Sequence, residues 1–246
     1  MIEVKNISKS FGAIQAVSNI SFSLEKGDVL GFLGPNGAGK STSMKMITGF
    51  LNLDSGSIKV SDFDIETQRT NAQEIMGYVP ENAPLYEEMY VEEFLYFIAE
   101  VRRISIKERA HKVEKVVRMC ALINVVGQRI ETLSKGYKRR VALASALIHD
   151  PKILILDEPT DGLDPNQKHD VRDLIKDLSK EKAILISTHI LEEVESICNR
   201  CIIISEGVMK YDGTPSEIKS KSSTGSIEDV FRAMTLNENI EGVSLC

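Results

Sequence analysis

Short apolar runs and longer amphipathic stretches alternate along this chain, and their two periods divide it into strands and helices. Near the N-terminus Ile2 and Val4 alternate with charged residues. Ile20, Phe22 and Leu24 repeat the pattern, and Gly27-Asp28 marks a turn. Val29-Leu30-Gly31-Phe32-Leu33 reads as a strand, and Asp54-Ser55-Gly56 as a turn into a strand at Ile58-Lys59-Val60. Over 91–126 the apolar positions Phe94, Leu95, Ile98 and Val101, then Val113, Val116, Val117 and Leu122, recur at helical spacing and predict a helical stretch. Ile153-Leu154-Ile155-Leu156 is a continuous apolar run, the pattern of a parallel strand covered on both faces. An amphipathic helix over 171–178, a second buried strand at Ala183-Ile184-Leu185-Ile186 and a helix over 191–198 complete a βαβ rhythm. That rhythm predicts an open α/β sheet, whose ligands bind at the carboxyl ends of its strands. Beyond Ser220 the chain turns polar: 222–226 reads as a linker, and 226–234 as a short helix capped by Ser226.

At 246 residues the chain is long enough for one domain with subdomains. A formal charge of −6 argues against a nucleic-acid partner. The local basic cluster Lys135, Lys138, Arg139 and Arg140 reads as a solvated helix face. No apolar run approaches the ~18 residues that span a bilayer, and the N-terminus does not resemble a signal peptide, so a soluble, cytosolic protein is expected. Cys198 and Cys201 form a C-x-x-C, but no second pair accompanies it and Cys201 opens the apolar run of a buried strand. Free thiols are the expectation.

The candidate chemistry starts at Gly34-Pro35-Asn36-Gly37-Ala38-Gly39-Lys40-Ser41-Thr42, which fits G-x-x-x-x-G-K-[ST] with a strand before it and a helix start behind it. Glycines there let several backbone N–H groups converge on a β-phosphate, and the new helix adds the positive end of its dipole. Lys40 would reach the β- and γ-phosphates and the Ser41 hydroxyl would ligate Mg²⁺. Asp157-Glu158 follows a buried strand directly. In isolation the pair reads as the start of the next helix; beside a phosphate loop, Asp157 would meet Mg²⁺ and Glu158 would deprotonate the attacking water. His189, which closes the second buried strand in Ser187-Thr188-His189, is either a polar rim residue or a donor to the transferring phosphate. Ser134 and Gly136 precede an alanine-rich helix, as an N-cap or as a phosphate binder whose phosphate the spacing does not identify.

Taken in order, these pieces resemble the nucleotide-binding subunit of an ATP-binding cassette (ABC) transporter, over residues 1–218. Walker A is 34–42, Walker B is 153–157 followed by Glu158, and the signature is 133–137. The D-loop runs through Gly162-Leu163-Asp164, and His189 is the switch histidine. The resemblance implies a P-loop NTPase core with a parallel sheet, an N-terminal antiparallel β subdomain and an α-helical subdomain at about 84–150. Residues 219–246 are left as polar linker and short C-terminal helix. It implies ATP and Mg²⁺ as cofactors. Nucleotide contacts fall on Phe11, stacking on adenine, on Asn36, Gly37, Gly39, Lys40, Ser41 and Thr42, and on Ser134, Gly136 and Asp164. Metal contacts fall on Ser41, Glu81 and Asp157, and catalysis on Glu158 and His189.

The same resemblance implies an ATPase that works as a head-to-tail dimer, with itself or a similar cassette, in which the signature of one subunit covers the γ-phosphate held by the other. The partner is a separate integral membrane permease, placing the chain on the cytoplasmic face of the membrane. Its coupling helix would enter a groove near Pro84, Leu85, Tyr86, Met89 and Tyr90, residues that equally suit the subdomain core. Three positions depart from the family's pattern. Glu81 replaces the usual glutamine, and Lys135 and Tyr137 vary the signature. These variants are similar to cassettes serving ABC-2-type exporters. The alternative is a soluble, non-transport ABC ATPase acting in translation, DNA repair or cofactor assembly.

Overall fold

Three neighbouring strands with no exposed residue anchor the molecule: β3 (Val29–Leu33), β7 (Ile153–Asp157) and β8 (Ala183–Thr188) are buried throughout. The computed structural model describes residues 1–236 and Val243. Those strands belong to a six-stranded sheet completed by β6 (Met76–Val79), β9 (Arg200–Ser205) and β10 (Val208–Gly213), in the order β10-β9-β3-β8-β7-β6. Every pairing is parallel except that of β10 on β9.

The N-terminal half builds a second, antiparallel sheet from β1 (Ile2–Phe11), β2 (Ile14–Leu24), β4 (Ser55–Val60) and β5 (Phe63–Asp64), in the order β2-β1-β4-β5. Helix α1 (Lys40–Ile47) contributes Met44, Met46 and Ile47 to the core between the two sheets. Side chains alternate across the parallel sheet. Ile153 and Ile155 face the antiparallel sheet, where Phe32 meets Phe22 edge to face at 5.1 Å, whereas Leu154 and Leu156 face a layer of helices. Continuous hydrophobic runs are therefore what these strands require.

Beyond the short α2 (Arg69–Glu74), the helical layer contains α3 (Val91–Val101), α4 (Ile106–Met119) and α5 (Lys135–Leu147), with α6 (Pro165–Ser179) and α7 (Leu191–Ile197) further along the sheet. The predicted helical stretch over 91–126 is thus not continuous. It breaks after Val101, where Arg103 takes a left-handed φ of 56°, and restarts behind Ser105, whose Oγ bonds the Glu108 carboxylate at 2.5 Å. The apolar period hides the break because α3 and α4 fold back as a hairpin with both apolar faces on the same core.

The C-terminal segment differs from the polar linker the sequence predicts. After α8 (Pro215–Ser220), Ser222 is buried and its hydroxyl pairs with that of Thr224 at 2.8 Å. Helix α9 (Ile227–Leu236) then buries Ile227, Val230 and Met234 in the helical-layer core. The rest of the predicted segment, 237–242 and 244–246, lies outside the described residues. Cys198 and Cys201 are free and buried, and a β-carbon added at Gly31 would come within 2.8 Å of the Cys198 Sγ, so the thiol packs directly beneath β3.

His149, just past α5, ties the helical layer to the sheet edge by donating from Nε2 to the Met76 carbonyl at 3.0 Å. Burial, then the nearby Arg102 cation, pushes its imidazole down from 6.5 to about 4. The folded protein therefore holds this ring neutral, while the unfolded chain takes up a proton below about pH 6.5. This stability is fully present above pH 6.5 and falls as pH drops toward 4. In His149→Gln that loss, about 2–3 kcal/mol at most, should be missing when denaturant unfolding of the two proteins is compared between pH 7 and pH 4. Parallel pH profiles would contradict it.

Candidate active site

The register of the parallel sheet assembles the site. Leu33 pairs with Thr188 and Asp157 pairs with Ser187, so β3, β8 and β7 end side by side. The chain leaving each of them carries one piece of the candidate chemistry, at the carboxyl edge where open α/β sheets bind ligands.

Residues 34–39 join β3 to α1, and their path demands glycine. Gly39 has φ 104°, and a β-carbon there would lie 2.5 Å from the Ala16 carbonyl; one at Gly34 would lie 2.3 Å from the Ile204 carbonyl. Lys40 opens α1 and is 6% exposed. Its Nζ donates to the carbonyls of Gly34 at 2.7 Å and Pro35 at 3.2 Å and lies 4.0 Å from the Glu158 carboxylate. Burial lowers the Lys40 ammonium from its ordinary range, with Glu158 and Asp157 opposing that shift.

Asp157, buried at the end of β7, accepts from the hydroxyls of Ser187 and of Ser41, the latter at 3.2 Å. Glu158 has a left-handed φ of 50°. This unusual backbone is held from one side by its N–H, which donates to the Ser187 carbonyl at 3.2 Å and hydroxyl at 3.1 Å. The result aims its carboxylate between Lys40 and the Nδ1 of His189, 3.0 Å away. With Glu158 ionised, that nitrogen carries the proton and Nε2 is left for another partner. The loop around His189 is braced from below. Thr188 Oγ1 donates to the buried Glu193 carboxylate at 2.7 Å and accepts from the Ile190 N–H at 3.0 Å. Burial raises the Glu193 carboxyl.

These groups line one pocket of about 560 Å³, formed by residues 36–42 with Ala16, Glu81, Glu158, Asp161 and His189. Asn36, Gly37, Gly39, Lys40, Ser41, Thr42, Glu81, Glu158 and His189 are thus brought together. Asp157 joins them through its bond to the Ser41 hydroxyl, whereas Ser134, Gly136, Asp164 and Phe11 do not line the pocket. Ser134 caps α5, accepting from the Tyr137 N–H at 3.4 Å, and Gly136 is pressed against the Gln167 side chain. Asp164 caps α6 through the Gln167 N–H at 2.9 Å. Phe11 is half exposed at the β1–β2 turn, with Lys9 Nζ 5.9 Å from its ring centroid.

The basic cluster is not one solvated face. Lys135 pairs with Asp161 at 3.0 Å, Lys138 with Glu87 at 2.7 Å and Arg140 with Asp170 at 2.7 Å. Arg139 turns inward to the ends of β6 and β7. Ser187, Asp161 and Arg139 are the site's residues that sequence reasoning missed. Ser187 stood beside His189 in plain view, but its bond to Asp157 exists only through the β7–β8 register.

Comparison with known proteins decides the family. A family model described as ABC transporter matches residues 17–161. The chain is 34% identical over 242 residues to the uncharacterized ABC transporter ATP-binding protein YxlF of Bacillus subtilis, covering 98% of this chain and 79% of that protein.

This chain belongs to the ABC transporter family.

It is 37% identical over 222 residues to the linearmycin resistance ATP-binding protein LnrL of the same bacterium, covering 90% of this chain and 71% of that one. A solved structure of the ATP binding subunit of an ABC transporter superposes with a TM-score of 0.82 at 29% identity, covering 96% of both chains. The fold is that of an ABC ATPase cassette, a P-loop NTPase core with its β and helical additions, and the nucleotide of the family is ATP. The relatives are transporter components, which leaves the soluble, non-transport alternative without support. Among the described residues, no helix is long and apolar enough to cross a membrane.

Among the described residues, Lys40 is the one lysine lining the pocket at the glycine-rich loop. Replacing it by alanine should weaken ATP binding at least about tenfold, since a charge-assisted contact to phosphate contributes about 1.5–3 kcal/mol. Titration calorimetry of wild type and Lys40→Ala measures this, and equal affinity would contradict it.

Proposed function

We propose that this cassette hydrolyses ATP to drive a separate membrane permease of the ABC-2 exporter kind, closing head to tail on a second copy or a similar cassette. The single observation that carries the reading is the division of the phosphate-binding residues. The P-loop, Glu158 and His189 share a pocket, while Ser134, Gly136 and Asp164 sit outside it on helix N-termini whose caps are already made. A second copy is the natural source of the missing half. ATP would then stabilise the closed pair because it touches both halves only in that state.

Within one site, Glu158 is the general base for water attack, with His189 hydrogen-bonded to the same carboxylate through Nδ1; as an imidazolium the ring would donate from both nitrogens, Nε2 then serving the γ-phosphate. The oxygen donors present suit Mg²⁺: the Ser41 hydroxyl lies 3.2 Å from the Asp157 carboxylate, and Glu81 lines the same pocket. Among the described residues, no group of three His, Cys, Asp or Glu could hold a metal. That agrees with an ion held largely by water and substrate phosphates. When bound, it would neutralise charge on the β- and γ-phosphates.

The permease reading is supported by a groove of about 1040 Å³ between the core and the helical layer. Of the five residues expected there, Pro84 lines it, beside Phe50, Tyr78, Ile98 and Val101, whereas Leu85 and Met89 pack against the core; Phe50 is 72% and Val101 59% exposed. Apolar surface of that kind fits a short amphipathic helix. The linearmycin resistance role of the LnrL relative and the Glu81, Lys135 and Tyr137 variants support the exporter class. The chain would then sit on the cytoplasmic face of the membrane.

Glu158→Gln should bind ATP while losing about two orders of magnitude or more in turnover. Tagged Glu158→Gln, purified with ATP and Mg²⁺ from detergent-solubilised membranes, should bring down a multi-span membrane protein in stoichiometric amount. Wild-type turnover in this variant, or its recovery with soluble partners alone, would contradict the proposal.

A further inference from the structure

The guanidinium of Arg139 is saturated by five backbone carbonyls from two separate segments. Nη1 donates to Pro80 at 2.7 Å and Glu81 at 2.9 Å. Nη2 donates to Glu158 at 2.6 Å and to Asp157, and Nε to Pro159 at 3.3 Å. Arginine has five N–H donors in a fixed fork, and all five are used. The side chain springs from α5, five residues beyond the Ser134 cap. A single residue therefore joins the N-terminal turns of α5, the segment after β6 that carries Glu81, and the end of β7 with the residues that follow it, Asp157 to Pro159.

From this geometry we infer that Arg139 is a positioning residue for the ATPase reaction. It clamps the Glu158 and Glu81 backbones in register with the helix that presents Ser134 and Gly136. The clamp completes the support of the left-handed Glu158 backbone, with Ser187 on its N–H and Arg139 on its carbonyl. Without it the segment 157–159 loses its tie to α5, and the Glu158 carboxylate its fixed aim between Lys40 and His189. Arg139 also places a fixed positive charge near Asp157, Asp161, Glu81 and Glu158. The Glu81 carboxylate, which the family's glutamine would not supply, adds to the negative charge that this cation offsets. A lysine would keep the charge but not the clamp, because an ammonium has three rotatable donors and no planar fork.

This inference rests on the ATPase reading above, and its test separates the two. Steady-state ATPase, equilibrium ATP binding and thermal midpoint are measured on full-length wild type, Arg139→Gln and Arg139→Lys. In Arg139→Gln, kcat is expected to fall about tenfold to a hundredfold, the cost of a misplaced reacting group. KM and ATP affinity should stay within about threefold, because the P-loop contacts are intact. Arg139→Lys should recover only a minor part of the lost kcat. Turnover of either variant close to wild type overturns the clamp, and so does a loss of ATP affinity that parallels kcat. If Arg139→Gln does not fold, Arg139→Lys decides by the same criterion. A wild-type protein with no ATPase activity overturns both readings, whereas an active wild type with an equally active Arg139→Gln overturns this one alone.

Discussion

The site depends on the parallel pairing of β7, β8 and β3. Because the three strands run the same way and are in register, Asp157 ends level with Ser187 and Leu33 one residue on, level with Thr188. Phosphate loop, carboxylates and histidine then emerge together from a rigid edge. The strands hold that level because both faces are packed, one against the antiparallel sheet and the other against helices. A shift of two residues in the β7–β8 ladder would keep the hydrophobic faces satisfied yet separate Asp157 from Ser187 and Ser41. The hydroxyl bonds that converge on Asp157 therefore specify the register as well as shape the site.

Charge is the second constraint on this edge. Glu81, Asp157, Glu158 and Asp161 gather where a highly anionic nucleotide must also bind. Lys40, Arg139 and Lys135 oppose them from three directions, each in a different state. Lys40 rests on backbone carbonyls, Arg139 is committed to five of them, and Lys135 forms an exposed pair with Asp161. Of the three, Lys40 has the least specific attachment and is the one on the P-loop itself. A pocket with excess carboxylate charge suits ATP accompanied by Mg²⁺ better than bare ATP.

Much of the fold was legible in the chain. The buried strands, the alternating strands of the N-terminal sheet, α1 behind the glycine loop, and α6 and α7 all follow from local period and turn chemistry. What stayed hidden depends on partners distant in sequence. The break at Arg103 leaves the apolar spacing intact, so no periodic reading could find it. Residues 222–226 look like linker in composition, yet Ser222 is buried and α9 closes over the core. Lys135, Lys138, Arg139 and Arg140 are indistinguishable as a basic cluster, and only the fold assigns three to carboxylate pairs and one to a partly buried cage of carbonyls. The P-loop lysine and hydroxyl were legible because a glycine turn before a helix has few other uses. The division of the site between pocket and remote caps was not, since it concerns a surface that one chain alone does not complete.

The central claim is that two chains share each ATP. Its most direct test is the molar mass of Glu158→Gln in solution, by light scattering after size exclusion, with and without saturating ATP. One chain is 27.3 kDa. A mass near that value without nucleotide, doubling when ATP is added, is the predicted result. A single-chain mass with ATP bound, at concentrations where turnover by wild type is measured, would contradict it.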